Sequence, residues 1–88
     1  MDVEFDTAKD AINVAKHGVS LVEAILLFES DFLVRPDGRK MYGEERLIAY
    51  GEIGGRVHVC VYTMRDEIHR IISLRKANRR EIDAYRER

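Results

Sequence analysis

The run RVHVCVYTM, Arg56 to Met64, lies between Gly54-Gly55 and Arg65-Asp66-Glu67. It narrows the possible folds more than any other stretch. Val57, Val59, Val61 and Thr63 alternate with His58, Cys60, Tyr62 and Met64, so the two sets leave opposite faces of one strand. The two glycines suit a two-residue turn, which makes Arg46 to Ile53 the expected antiparallel partner. Arg65-Asp66-Glu67 turns the chain again, and Ile68 to Arg75 returns. The pattern predicts a three-strand antiparallel meander.

The flanks read as helices. Asp6 caps a first helix running to about His17, with Phe5, Ala8, Ile12, Ala15 and Val19 as its apolar stripe. Gly18 ends it in a left-handed conformation. Ser20 and Glu23 form a capping box for a second helix with Leu21, Ala24, Ile25 and Phe28 inside, and Val19 staples onto Ala24. A very short turn makes the two a helical hairpin. Phe32 to Arg35 reads as a short strand ending before Pro36, and PDGRKMYGEE as a polar surface loop. Asn78 and Glu81 cap a last helix on which Ile82 and Tyr85 share a face. The expected fold is α+β: an N-terminal helical hairpin, an antiparallel sheet of about four strands and a C-terminal helix, in one domain over residues 1–88.

Charge is distributed unevenly. Residues 1–55 hold 6 Lys/Arg against 11 Asp/Glu, while residues 56–88 hold 9 against 5. Such asymmetry marks either a local anion-binding face or two halves that neutralise each other. The basic half culminates in RIISLRKANRREIDAY, Arg70 to Tyr85, where Arg70, Arg75, Lys76, Arg79 and Arg80 crowd the passage from strand to helix. Guanidinium holds phosphate oxygens in a bidentate way and is permanently charged. Cations at a helix start oppose the macrodipole, so the cluster reads either as a phosphate grip or as a solvated turn paired with Glu81, Asp83 and Glu87. Alternation along the last strand puts His69, Ile71, Ser73 and Arg75 on one side and Arg70, Ile72 and Leu74 on the other.

Other chemistry is sparsely marked. Lys16-His17-Gly18 offers a histidine that either sits on a helix's negative end or serves as a general acid or base. Arg46 follows Glu44-Glu45 and is either an ion-paired strand end or a second phosphate clamp. His17, His58 and His69 are scattered and no CxxC, HExxH or glycine-rich phosphate loop occurs, so no metal or cofactor is expected. Cys60 cannot form an intramolecular disulfide and reads as a small buried hydrophobe. The acidic N-terminus and the lack of a long apolar run lead us to expect a soluble, cytoplasmic chain with no membrane partner.

Together these motifs resemble one family. VEFDTAKDAINVAKHGVSLVEAILLF is similar to the opening of the BrnT toxins of bacterial type II toxin–antitoxin systems. It shares Asp6, Lys9, Asn13, Lys16, His17, Gly18, Val19, Ser20 and Ala24, with Phe5 for the usual Trp and Leu21 for Phe. Glu45-Arg46 and Gly51 follow, and Arg70-Ile71-Ile72-Ser73, Arg75, Ala77, Arg80-Glu81 and Tyr85 match the family's ending, with Leu74 for Ala. The resemblance implies a RelE-like toxin fold and a ribonuclease that halts translation. It implies a BrnA-type antitoxin encoded beside it, and operator DNA bound only through the toxin–antitoxin complex.

Metal-independent cleavage of RNA needs a base for the 2′-hydroxyl, charge stabilisation at phosphorus and an acid for the leaving oxygen. On this reading Arg75 and Arg46 stabilise charge, with Arg65 or Arg79 assisting. His17 is the first acid–base candidate, with Glu81 or Tyr85 as alternatives, and Lys16 and Arg80 add phosphate contacts. The competing class is a non-catalytic module that docks an antitoxin and acts as co-repressor.

Overall fold

The structure is a computed structural model and describes residues 1–38 and 43–88. Residues 39–42, the centre of the expected surface loop, lie outside the described residues. In chain order the elements are β1 (Val3–Glu4), α1 (Thr7–His17), a 3-10 turn (Leu21–Glu23), α2 (Ala24–Glu29), β2 (Leu33–Pro36), β3 (Leu47–Ile53), β4 (Arg56–Arg65), β5 (Ile68–Lys76) and α3 (Arg79–Arg86). One sheet joins the strands in the order β1-β5-β4-β3-β2.

The meander forms as expected. Gly54 and Gly55 have φ of 58° and 80°, the positive pair that joins strands of normal twist. Val57 and Val59 face α3, while Cys60 and Tyr62 face α2. Burial raises the Cys60 thiol to about 12, so it behaves as a small hydrophobe.

Four expectations need correction. Among the described residues the sheet has five strands and is mixed, because β1 runs parallel to β5 through Val3–His69 and Glu4–Arg70. Two residues are too few to show alternation. Second, β2 includes Pro36, which pairs with Leu47. As the outermost strand β2 has one edge without a neighbour among the described residues, where a missing N–H costs no ladder bond.

The third concerns the helices. They do not form a hairpin: α1 and the Leu21–Glu29 segment lie at 88° to one another. The capping box at Ser20 is present but opens a 3-10 turn, and α2 buries Ala24, Leu27 and Phe28, with Ile25 only partly covered. On α1 the stripe points the other way. Phe5 and Val19, beyond its ends, reach the core, but Ala8, Ile12 and Ala15 are exposed. The inward face is polar. Asn13 donates to the carbonyls of Val19 and Leu74, both at 2.8 Å, and accepts from the Leu74 amide at 3.2 Å. Its carboxamide thus stands in for a neighbouring strand where β5 runs on past short β1. Asp10 accepts from the Ser20 hydroxyl at 3.0 Å and the Leu21 amide at 2.7 Å. Two polar anchors have replaced the hydrophobic contact that the period suggested.

The fourth is the alternation of β5. Val61 pairs with Ser73 but Tyr62 pairs with Ile71, so Ile72 is the extra residue of a bulge. Ile71 and Leu74, three apart, consequently enter the same core. Before the bulge His69 and Ile71 face α2, whereas after it Ser73 and Arg75 face α3.

Two cores result, one on each side of the sheet. The α2 side packs Leu21, Ala24, Leu27 and Phe28 on Ala49, Cys60, Tyr62, Ile71 and Leu74. α2 approaches so closely that a Cβ on Gly51 would stand 2.7 Å from Ser30 Oγ and 2.9 Å from Leu27 Cγ. The α3 side is smaller: Tyr85, Ala77 and Ile82 on Val57, Val59, Ile48 and Tyr50.

Candidate functional site

Directly paired residues share a face, so the register sorts the α3 side of the sheet into rows. Leu33, Tyr50, Val59 and Arg75 form one, and Arg35, Ile48, Val61 and Ser73 form the next. Thr63 and Arg70 begin a third, and Arg46, whose carbonyl accepts the Asp37 amide at 2.8 Å just beyond the last β2–β3 pair, continues the same side and also lines a cavity with Pro36, Asp37, Glu44 and Glu45. α3 packs on Val59, Tyr50 and Ile48; Arg35 is exposed, Val61, Ser73, Arg70 and Arg75 are half-buried, and Thr63 is buried with its hydroxyl donating to the Glu45 carbonyl at 2.7 Å. The open part is bordered by Arg35, Arg46, Arg70 and Arg75. With strands about 4.8 Å apart and a rise of about 3.3 Å per residue, these four corner a patch roughly 10–16 Å across.

Arg75 is the best-defined corner. Both guanidinium nitrogens donate to Glu81, at 2.8 Å each, and one also donates to the Lys76 carbonyl at 3.3 Å. Glu81 accepts the Asn78 amide at 2.9 Å, while Asn78 accepts the Glu81 amide at 2.9 Å. The capping box that starts α3 therefore also aims Arg75. This fork holds the Glu81 carboxyl below its usual range, with help from the Asn78 amide, and raises the Arg75 guanidinium further. A carboxylate held this way is a weak base and a good clamp. Beside it Leu33, Arg35, Tyr50, Arg80, Glu81, Ala84 and Tyr85 line a cavity of about 170 Å³.

The sequence candidates divide. Arg46 and Arg75 belong to the open face, and Arg80 lines the adjoining cavity. Arg65 lies at the end of β4, 3.5 Å from Glu44. Arg79 is 89% exposed and pairs with Asp83 one turn on. Lys16 is exposed in the last turn of α1, and half-buried His17 follows it. His58 and His69 face the α2 side, so the strands of the open face contribute no histidine. Tyr85 is only 2% exposed, and its hydroxyl donates to the Asp31 carbonyl at 2.6 Å. Burial raises its pKa. A phenol so committed anchors α3 to the chain before β2. Arg88 reinforces the anchor, lying 3.8 Å over the Tyr85 ring and 2.6 Å from the Asp31 carboxylate.

Sequence reasoning passed over Arg35, Tyr50, Ser73 and the site role of Arg70. Alternation along β3, read from Arg46 through Ile48, would have found Tyr50. The bulge hid the fact that Arg70 and Arg75, an odd number apart, share a face. Arg70 lies 3.6 Å from Glu4, a contact that depends on the unforeseen β1. Among the described residues no three His, Cys, Asp or Glu side chains converge to hold a metal ion.

An arginine-bordered sheet face beside a capped helix can bind anions and stabilise developing negative charge. The family model described as "Ribonuclease toxin, BrnT, of type II toxin-antitoxin system" matches residues 5–81. The class is thus that of the ribonuclease toxins of type II toxin–antitoxin systems, which have an antitoxin partner. Within that class the chain belongs to the BrnT family. No curated protein matches it.

Proposed function

We propose that this chain cleaves RNA without a metal ion, on the open sheet face, and thereby inhibits translation in the cytoplasm until a BrnA-type antitoxin neutralises it. Operator DNA is engaged only through the antitoxin complex. The observation that carries the reading is the Arg75–Glu81 fork at the edge of a face bordered by Arg35, Arg46 and Arg70.

The face is suited to single-stranded RNA. Arg35 and Arg70 hold flanking phosphates, and the cavity beside Arg75, which half-buried Tyr50 lines with Leu33 and Arg80, receives a base. This fixes one 2′-hydroxyl in line with the adjacent phosphorus. Attack forms the 2′-oxygen–phosphorus bond and breaks the bond to the 5′-oxygen, leaving a 2′,3′-cyclic phosphate. Arg75 and Arg46 stabilise the extra charge of the pentacoordinate state. Glu81 is a positioning residue for Arg75. Solvent takes the 2′-hydroxyl proton and returns one to the leaving oxygen, so orientation and electrostatics supply the acceleration. Arg65, Arg79 and Arg80 serve as outlying phosphate contacts.

The test is incubation of purified chain with a single-stranded RNA oligonucleotide in excess EDTA, beside its 2′-O-methyl counterpart. Cleavage of the first alone is expected. A reaction abolished by EDTA contradicts metal independence. Absence of cleavage by folded protein favours the non-catalytic co-repressor. A loss on His17→Ala as large as that on Arg75→Ala would assign proton transfer to α1.

A further inference from the structure

We propose that the outward face of α1 anchors the antitoxin, and that the segment it receives is an amphipathic helix with acidic residues along one flank. The proposal rests on the toxin–antitoxin reading above and adds where the partner sits and what it looks like.

α1 is mounted inside out. Asp10, Asn13 and His17, at spacings of three and four, form the side turned to the protein, and two of them make its polar anchors. Ala8, Ala11, Ile12 and Ala15 form the opposite side, with Val14 beside them, and all are exposed. Ile12 is 64% exposed. Eight large apolar side chains are exposed among the described residues, and four of them, Ile12, Val14, Val22 and Leu26, fall on α1 and the segment after it. Scattered surface hydrophobics need no explanation, but four of the eight falling between Ile12 and Leu26 do. The chain's own fold makes no use of them, since Asn13 and Asp10 already secure the helix.

Charge selects the occupant. Lys9 and Lys16 are seven residues apart and border one flank of the stripe. A helix presenting apolar residues at i, i+3, i+4 and i+7, with Asp or Glu alongside, satisfies both features. A second copy of this chain does not. In a two-fold antiparallel pairing through α1 the lysine flanks of the two copies lie on the same side and repel. The small Ala8, Ala11 and Ala15 allow close approach, so a helix laid there buries Ile12 at the centre, where binding energy concentrates.

The experiment measures affinity of the full chain for the antitoxin encoded with it, alongside RNA cleavage. Ile12→Glu is expected to weaken the complex on the order of 30-fold or more, the fold-change of a hot-spot residue. Lys9→Glu is expected to weaken it roughly 3-fold at low ionic strength, with the loss shrinking as salt rises. Both variants should keep the circular dichroism, melting and cleavage of the parent, and Ile12→Ser repeats the first arm without an added charge. Unchanged affinity in the Ile12 variants overturns the proposal. So does a parent chain that dimerises by light scattering, loses the dimer on Ile12→Glu and keeps its antitoxin affinity. A parent that binds antitoxin but cuts no RNA sinks the ribonuclease reading alone, because the affinities judge the surface independently.

Discussion

The two sides of the sheet are built from the same strands and are used differently. The α2 side is sealed: Leu21, Ala24 and Leu27 are fully buried, and Gly51 lets the helix touch the backbone. The α3 side is closed at one end by Tyr85 and left partly open at the other, where arginines replace apolar residues. One side can therefore change only at the expense of folding. The other can change its chemistry while the fold stands, a division expected when a site is mounted on a rigid scaffold.

Substitutions should respect that division. Leu27→Ala on the sealed side should cost about 2–5 kcal/mol of stability, because it empties a fully enclosed space. Chemical denaturation measures it, and a smaller loss would show that α2 can settle into the gap. Arg75→Ala on the open side should lower kcat/KM about 10²–10³-fold with little change in melting, as loss of a charge-stabilising donor does. A large fall in stability would instead make the fork with Glu81 chiefly structural. Asn13→Ala should cost about 1–3 kcal/mol by leaving the Leu74 amide and carbonyl without partners. Hydrogen exchange at Leu74 would report the same loss locally.

The smallest expected effect is that of pH. Burial, and secondarily the N-terminal charge, lowers the pKa of His69, which stacks on Tyr62 with ring centroids 5.3 Å apart. The unfolded chain takes up this proton below about 6.5 and the folded chain only at lower pH. Stability should therefore decline as pH falls below that value, and His69→Phe should flatten the decline. Glu81 acts in the same direction further down, since its lowered pKa contributes stability that is lost as pH falls through the carboxylate range. An equal decline in parent and His69→Phe would remove the histidine from the account.

Legibility in the sequence followed the physics of each element. The meander was readable because two-residue alternation, a Gly-Gly turn and burial all agree there. α3 was readable because its cap and its apolar pair, Ile82 and Tyr85, obey the same geometry. α1 was not, because its apolar period is real but faces outward. Only the long-range bonds of Asn13, sixty-one residues from Leu74, decide its orientation. β1 and the bulge at Ile72 were hidden for a related reason, since both are settled by partners distant in sequence. Arg46 and Arg75 could be named from their setting and from family resemblance. Arg35 and Arg70 could not, because their shared face exists only once the register is known.

The central claim is that the open arginine face cuts RNA by charge stabilisation at Arg75. Its most direct test is single-turnover cleavage of a single-stranded RNA oligonucleotide in EDTA by the parent, Arg75→Ala and Arg75→Lys, with melting curves for all three. The account predicts that the parent forms a 2′,3′-cyclic phosphate end, that Arg75→Ala loses about 10²–10³-fold in rate, and that Arg75→Lys recovers only part of it, because an ammonium lacks the planar fork. Full activity in folded Arg75→Ala would contradict it.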